Sequence, residues 1–161
     1  MPTTLPVPIE FTLPEGWLPA ASPAGVAYAA VHPRPDAGFA ANITVDGGRP
    51  KGEVTPAELA EASVERLRGF AESVTVTHRR ELGSDDAPAL AQRITFSTLV
   101  GDARRDFVQS QVYLFLLDDE DAHRRALIRL ALTATAAQYD SVLGDFQDFV
   151  RTVRPDDGAG V

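Results

Sequence analysis

Three histidines, the side chains best suited to exchanging protons near neutral pH, are scattered along the chain. His32 precedes a proline, His78 lies in an alternating segment and His123 follows an acidic run. No two have the helical spacing of a metal pair. None neighbours a Gly-x-Ser-x-Gly elbow, and His-Glu-x-x-His does not occur. There is no cysteine, which excludes thiol nucleophiles, disulfides, iron–sulfur clusters and Cys-held zinc together. Asp118-Asp119-Glu120-Asp121 gathers four acids without the spacing or the bend glycine of a calcium loop, and it reads as a solvated hairpin tip. Asp85-Asp86 and Asp156-Asp157 read the same way. Gly47-Gly48 and Gly101 are turn glycines outside any phosphate-binding pattern. The expectation is a protein that is not an enzyme and needs no metal or cofactor. The remaining catalytic option is an unfamiliar enzyme built on His78 or a carboxylate pair.

Recognition chemistry is better represented. Arg105 to Leu117 places Val108, Val112, Leu114 and Leu116 on one side of a long strand. Gln109, Gln111, Tyr113 and Phe115 fall on the other. A face mixing amides with aromatics suits a protein-binding surface, because aromatic anchors carry much interface energy. Cover by a helix is the plainer account of the same face. Trp17 is the only tryptophan and follows the turn Pro14-Glu15-Gly16. It joins Gln109, Gln111, Tyr113 and Phe115 as a candidate anchor, with sealing of a core edge as its structural alternative. Asn42, set among Ala40, Ala41 and Ile43, is expected to hydrogen-bond within the fold.

The elements that must position these residues follow from periodicity. Val7 to Leu13, Gly25 to His32 and Phe39 to Val45 read as three strands, the last ended by Asp46-Gly47-Gly48. Thr55-Pro56-Ala57-Glu58 opens a helix to about Phe70 with a capping box and an early proline. Its apolar stripe is Leu59, Ser63, Leu67 and Phe70, broadened by Ala60 and Val64. Strands then run from Val74 to Leu82, Ala89 to Thr98, Arg105 to Leu117 and Ala126 to Thr135, joined by short polar turns that imply antiparallel pairing. Thr135 and Gln138 make a second capping box for a helix whose stripe is Tyr139, Val142, Leu143, Phe146, Phe149 and Val150. The order βββ-α-ββββ-α predicts an α+β domain over residues 1–155, with a largely antiparallel sheet of six or seven strands covered by helices and a flexible tail at 156–161.

Bulk properties narrow the partners. The chain has 161 residues, enough for one domain with its own core. Asp plus Glu is 23 against Lys plus Arg 15, a net charge of −8 that repels phosphate backbones and anionic membranes alike. No apolar window is long enough to insert directly into a membrane. The N-terminus lacks the basic and apolar regions of a signal peptide, so the expected location is cytoplasmic. Lys51 is the only lysine, a bias typical of high-GC genomes.

Phe11-x-Leu13-Pro14-x-Gly16-Trp17, Phe39-Ala40-Ala41-Asn42-Ile43-x-Val45, the capped middle helix and Leu130-Ala131-Leu132-Thr133-Ala134 running into Gln138-Tyr139 together carry a resemblance. The chain resembles the Mog1/PsbP-like superfamily, near its DcrB-like (DUF1795) and actinobacterial LpqN-like branches. Members bind a small GTPase, attach to photosystem II or serve as chaperone-like adaptors for secreted effectors. The resemblance therefore implies a non-enzymatic protein-binding or adaptor module, chaperone-like for a secreted or envelope-associated partner. The alternative is a small-ligand carrier with a pocket between sheet and helix. No catalytic residue transfers, because the shared pattern has none. The identity of the protein partner is open, and so is the oligomeric state, for which a homodimer is common among small acidic modules.

Overall fold

The computed structural model of the chain describes residues 5–6, 8–22, 26–49, 54–84, 87–117 and 125–155. Four short strands come first: β1 (Ile9–Glu10), β2 (Leu18–Ala20), β3 (Tyr28–Val31) and β4 (Asn42–Gly48). Helix α1 (Pro56–Arg68) follows, then the long strands β5 (Glu72–Gly83), β6 (Pro88–Val100), β7 (Ala103–Leu117) and β8 (Arg125–Thr135). Helix α2 (Ala136–Thr152) and β9 (Arg154–Pro155) close the chain. Strands β2 to β8 form one seven-stranded sheet in the order β2-β3-β4-β8-β7-β6-β5, antiparallel throughout. This is the α+β arrangement that the order of elements predicts.

The front of the chain differs in detail. Of the expected strand from Val7 to Leu13, Val7 lies outside the described residues. Ile9 and Glu10 pair with Pro155 and Arg154, not with the main sheet. Ile9, Phe11 and Leu13 instead pack onto the core beneath α2, with the Phe11 ring 5.2 Å from that of Phe149 and 5.0 Å from that of Tyr28. Their alternation records burial of one side of an extended segment, and the sheet itself begins beyond Trp17. Strand β4 also runs further than expected, through Gly47 and Gly48. A Cβ on Gly47 would stand 2.3 Å from the Leu127 carbonyl oxygen, so the glycine permits a close strand approach where a turn was expected.

Both helices begin at threonine caps. The Glu58 N–H donates to Thr55 Oγ1 at 3.1 Å, and the Gln138 N–H donates to Thr135 Oγ1 at 3.2 Å. The Gln138 side chain reaches out to the Arg34 carbonyl at 2.8 Å, so it anchors a loop instead of closing a capping box. On α1, Ala60, Ser63, Val64 and Leu67 are buried. Phe70, expected in that stripe, lies past the Gly69 cap and is 67% exposed.

Cross-strand partners share a face, so register assigns each side chain to one layer. Gln92, Gln111 and Ala131 lie side by side beneath α1, and Ala91, Val112 and Leu130 lie on the reverse face. The larger core fills the α2 side, where Ile43, Val45, Ile128, Leu130 and Leu132 meet Tyr139, Val142, Phe146 and Phe149. Beneath α1, Ile94, Phe96 and Phe107 meet Val64 and Leu67.

Between α1 and the sheet runs a buried chain of amides. Gln92 Nε2 donates to Gln111 Oε1 at 2.7 Å and to the Ala60 carbonyl of α1 at 3.2 Å. Gln111 Nε2 donates to Ser63 Oγ at 2.9 Å, and the Tyr113 hydroxyl donates to Gln111 Oε1 at 3.1 Å. Gln111 itself is 0% exposed. Replacing it with leucine keeps the volume but leaves the Gln92 amide and the Tyr113 hydroxyl short of an acceptor in a dry layer. Urea denaturation of Gln111→Leu should therefore show a loss on the order of 2–4 kcal/mol. A change within experimental error would mean that the amides carry no weight in docking α1.

Candidate functional site

The five candidate anchors do not form an accessible surface. Gln111, Tyr113 and Phe115 are each no more than 2% exposed, under or beside α1. Gln109 is half-buried and donates to Thr133 Oγ1 at 2.8 Å. Trp17 lies on the opposite side of the sheet, packed into the α2 core at 5% exposure. Its indole N–H donates to Asp145 Oδ2 at 3.0 Å, and its ring meets that of His32 edge-on at 5.3 Å. Three of the five are thus gathered in the α1 layer, with Gln109 at its margin and Trp17 apart. Asn42 is half-buried and makes a local contact, Nδ2 to the Ala40 carbonyl at 3.4 Å. His123 and the acidic pairs and run at 85–86, 118–121 and 156–157 lie outside the described residues. Among the described residues no group of three or more His, Asp or Glu converges as a metal site. No helix among them is long and apolar enough to cross a membrane.

The accessible concave surface lies elsewhere. On the reverse face from α1, the sheet extends past α2 toward its β5 edge and leaves an open cleft of about 840 Å³. One wall is α2, through Tyr139, Leu143, Phe146 and Val150. The floor is Leu82, Ala91 and Val112. Its basic side chains are Arg80, Arg93, Arg151 and His78, with Arg79 at the back of the strand, and Thr77, Ser110 and Gln147 are among the uncharged polar groups that line it. Among the described residues the lining holds no carboxylate, although acids outnumber bases in the chain.

A backbone irregularity builds this wall. Strict alternation along β5 would set Val74, Val76, His78, Arg80 and Leu82 on one face. Bulges between Glu72 and Thr75 and between Val76 and His78 shift the register. Val76 then pairs with Ile94 and packs beneath α1, while His78 pairs with Arg93 on the cleft side. Arg79 turns back to α1, where it donates to Gln92 Oε1 at 2.8 Å and pairs with Glu61. Arg93 is held in place: its Nε donates to His78 Nδ1 at 3.1 Å, and its guanidinium stands 5.7 Å from the centre of the Tyr139 ring. The Tyr139 hydroxyl in turn shares a 2.7 Å hydrogen bond with Ser110. Neither Arg80 nor Arg93 has a carboxylate partner among the described residues.

A smaller pocket of about 290 Å³ lies on the other face, between α1 and the ends of β4 and β8. Arg49, Arg66, Arg129 and Asp46 supply its charge, and Ser63 and Tyr113 form part of its wall. Arg129 Nη1 donates to Asp46 Oδ2 at 3.1 Å, and its guanidinium lies 6.0 Å from the Tyr113 ring centre. Burial lifts the Asp46 carboxyl above its ordinary 3.8, against the opposing pull of the Arg129 charge and hydrogen bond and, further off, the Arg66 charge. A carboxyl raised in this way favours the folded state most fully below pH 3.8, and that contribution fades as pH rises through the folded-state value. Carboxyl-carbon NMR should find Asp46 titrating above 3.8, and higher again in Arg129→Met, where the opposing charge is gone. A wild-type value at or below 3.8 would refute the assignment of burial as the dominant cause, and a downward move in the variant would refute the opposing role of Arg129.

Neither a protein-family profile nor a curated protein matches the sequence. Solved structures do match the fold. LpqN, involved in cell envelope biogenesis of Mycobacterium tuberculosis, aligns at 12% identity over 91% of this chain and 83% of its own, with a TM-score of 0.65. The Ran-binding protein Mog1p of Saccharomyces cerevisiae aligns at 16% identity over 94% and 92%, with a TM-score of 0.62. Cyanobacterial PsbP from Synechocystis sp. PCC 6803 aligns at 16% identity over 92% and 86%, with a TM-score of 0.61. With its seven-stranded antiparallel sheet and a helix on each face, and its likeness to these three structures over more than four fifths of each chain, this chain has the Mog1/PsbP-like fold.

Proposed function

We propose that the chain is a protein-binding adaptor module whose contact surface is the cleft beside α2. The observation that carries this reading is the chemistry of that cleft: an apolar floor bordered by Arg80, Arg93, Arg151 and His78 in a chain of net charge −8. Desolvated apolar area supplies affinity, and border guanidiniums, of which Arg80 and Arg93 have no carboxylate partner among the described residues, supply selection for an acidic counterpart. The shared fold supports the reading, since similar structures include a Ran-binding protein and a protein of envelope biogenesis. A chaperone-like action on a secreted or envelope-associated partner is its finer form. Affinity capture from the native cell should enrich one protein with the wild-type chain and lose it with Arg80→Glu/Arg93→Glu. A Thr44→Glu control on the α1 side should retain it. Equal capture by all three proteins would place the contact elsewhere.

The pocket at Asp46 favours a second reading, a carrier of a small anion. Its volume sits at the lower end of small-molecule sites, and among the described residues its lining holds three arginines and one carboxylate. Native mass spectrometry of protein taken from its own cell should then show an added mass that Arg66→Ala/Arg129→Met abolishes. A bare polypeptide mass from gently purified protein would count against the carrier.

A further inference from the structure

We infer that the cleft receives an α-helix of the partner, about three turns long, whose apolar stripe is flanked on both sides by Asp and Glu. This rests on the cleft being the contact surface, and it adds the shape and charge of what enters.

Dimensions come first. The wall residues run from Tyr139 to Arg151 on α2. Twelve residues of helix rise about 18 Å. The floor beside that wall spans β7, β6 and β5, two strand spacings of about 4.8 Å each, or about 10 Å in all. That width matches the diameter of one helix with its side chains, about 10 Å. The cleft is therefore one helix wide and about three turns long, and α2 supplies the neighbour against which such a helix would pack.

The chemistry agrees. Ala91, Val112, Leu143 and Val150 belong to one apolar cluster, and Leu82 lines the cleft with them, a track of small and branched side chains. Small residues on the floor leave room for the partner's larger ones. Arg80 borders the track on the sheet side and Arg151 on the helix side, with Arg93 and His78 at the Tyr139 end. Cations on both margins call for acids on both flanks of an incoming apolar stripe. Arg151 is shared with Asp148 at 2.8 Å, a largely exposed pairing that a partner carboxylate can replace at little cost. Among the described residues Arg80 and Arg93 have no carboxylate to give up.

Strand addition, the other common mode of peptide capture, is disfavoured here. The sheet edge on this side is β5, and its two bulges interrupt the regular row of backbone donors and acceptors that an added strand needs. The opposite edge, β2, is three residues long and contains Pro19.

A displayed library of random 16-residue peptides, selected on the intact chain and counter-selected on Arg80→Glu/Arg93→Glu, tests this directly. The enriched peptides should carry apolar residues at i, i+3, i+4 and i+7 with Asp or Glu flanking them. They should bind the wild-type chain at least tenfold tighter than the variant at low salt, lose affinity as salt rises, and gain helical circular dichroism on binding. Arg80→Glu alone, at an exposed position, guards against a folding defect in the double variant and should reproduce the direction of the effect. Enrichment of extended or proline-rich peptides that still depend on the arginines would refute the helix and leave the protein-binding cleft standing. Enrichment of Lys-flanked helices would refute the charge argument. Peptides that bind wild type and variant alike, or none at all, would overturn this inference and the cleft as contact surface together.

Discussion

The sheet is wider than its helices can cover, and most of what distinguishes this molecule follows from that. Seven strands at about 4.8 Å spacing are about 29 Å across, while one helix screens about 10 Å. With one helix per face, each face has a dry part and a part open to water. The fold handles the surplus asymmetrically. Helix α2 sits over β4, β8 and β7 and makes the larger core there; α1 sits over β5, β6 and β7 on the reverse face. The strands at the β5 end are therefore capped on the α1 side and open on the α2 side. The cleft is the uncovered remainder of a layer.

That remainder needs a rigid floor, and the amide chain beneath α1 supplies one. Burial is non-directional and so selects less sharply among alternative seatings of the thirteen-residue helix on the sheet than hydrogen bonds do. Gln92 to the Ala60 carbonyl and Gln111 to Ser63 are directional and set one register. The same Gln92 receives Arg79 from β5, so α1, β5, β6 and β7 are tied through one side chain. The face that looks like a recognition surface in the sequence is thus part of what holds the opposite face flat.

The order of elements, both caps and the two helix stripes could be read from the sequence because each depends on local spacing. Thr55 and Thr135 announce their helices, and Tyr139, Val142, Phe146 and Phe149 announce the buried side of α2. What could not be read was which of two plausible faces stays wet. Gln109, Gln111, Tyr113 and Phe115 have the composition of an interface, but amides also suit a helix–sheet junction that must accept hydrogen bonds in the dry. Spacing alone does not say where α1 lands. The cleft was hidden for a second reason. The bulge between Val76 and His78 breaks the alternation that would have grouped His78, Arg80 and Leu82 with the valines under α1. The residue types carried one trace of it: Arg80 and Arg93 concentrate positive charge on adjoining strands of an acidic chain, beside His78.

The pairing of β1 with β9 bears on how the domain would yield under load. Ile9 lies opposite Pro155 and Glu10 opposite Arg154, with Glu10 and Arg154 joined at 2.8 Å and the Thr12 N–H donating to Thr152 Oγ1 at 2.9 Å. A tension applied through residues 9 and 155 pulls both partners from the same end of that short ladder. Its bonds then break one after another, as in opening a zip, and never share the load in shear. The long strands β5 to β8 feel no force until this clasp has peeled. A tether on either side of the domain would thus release the entry segment first, while the floor of the cleft stays intact.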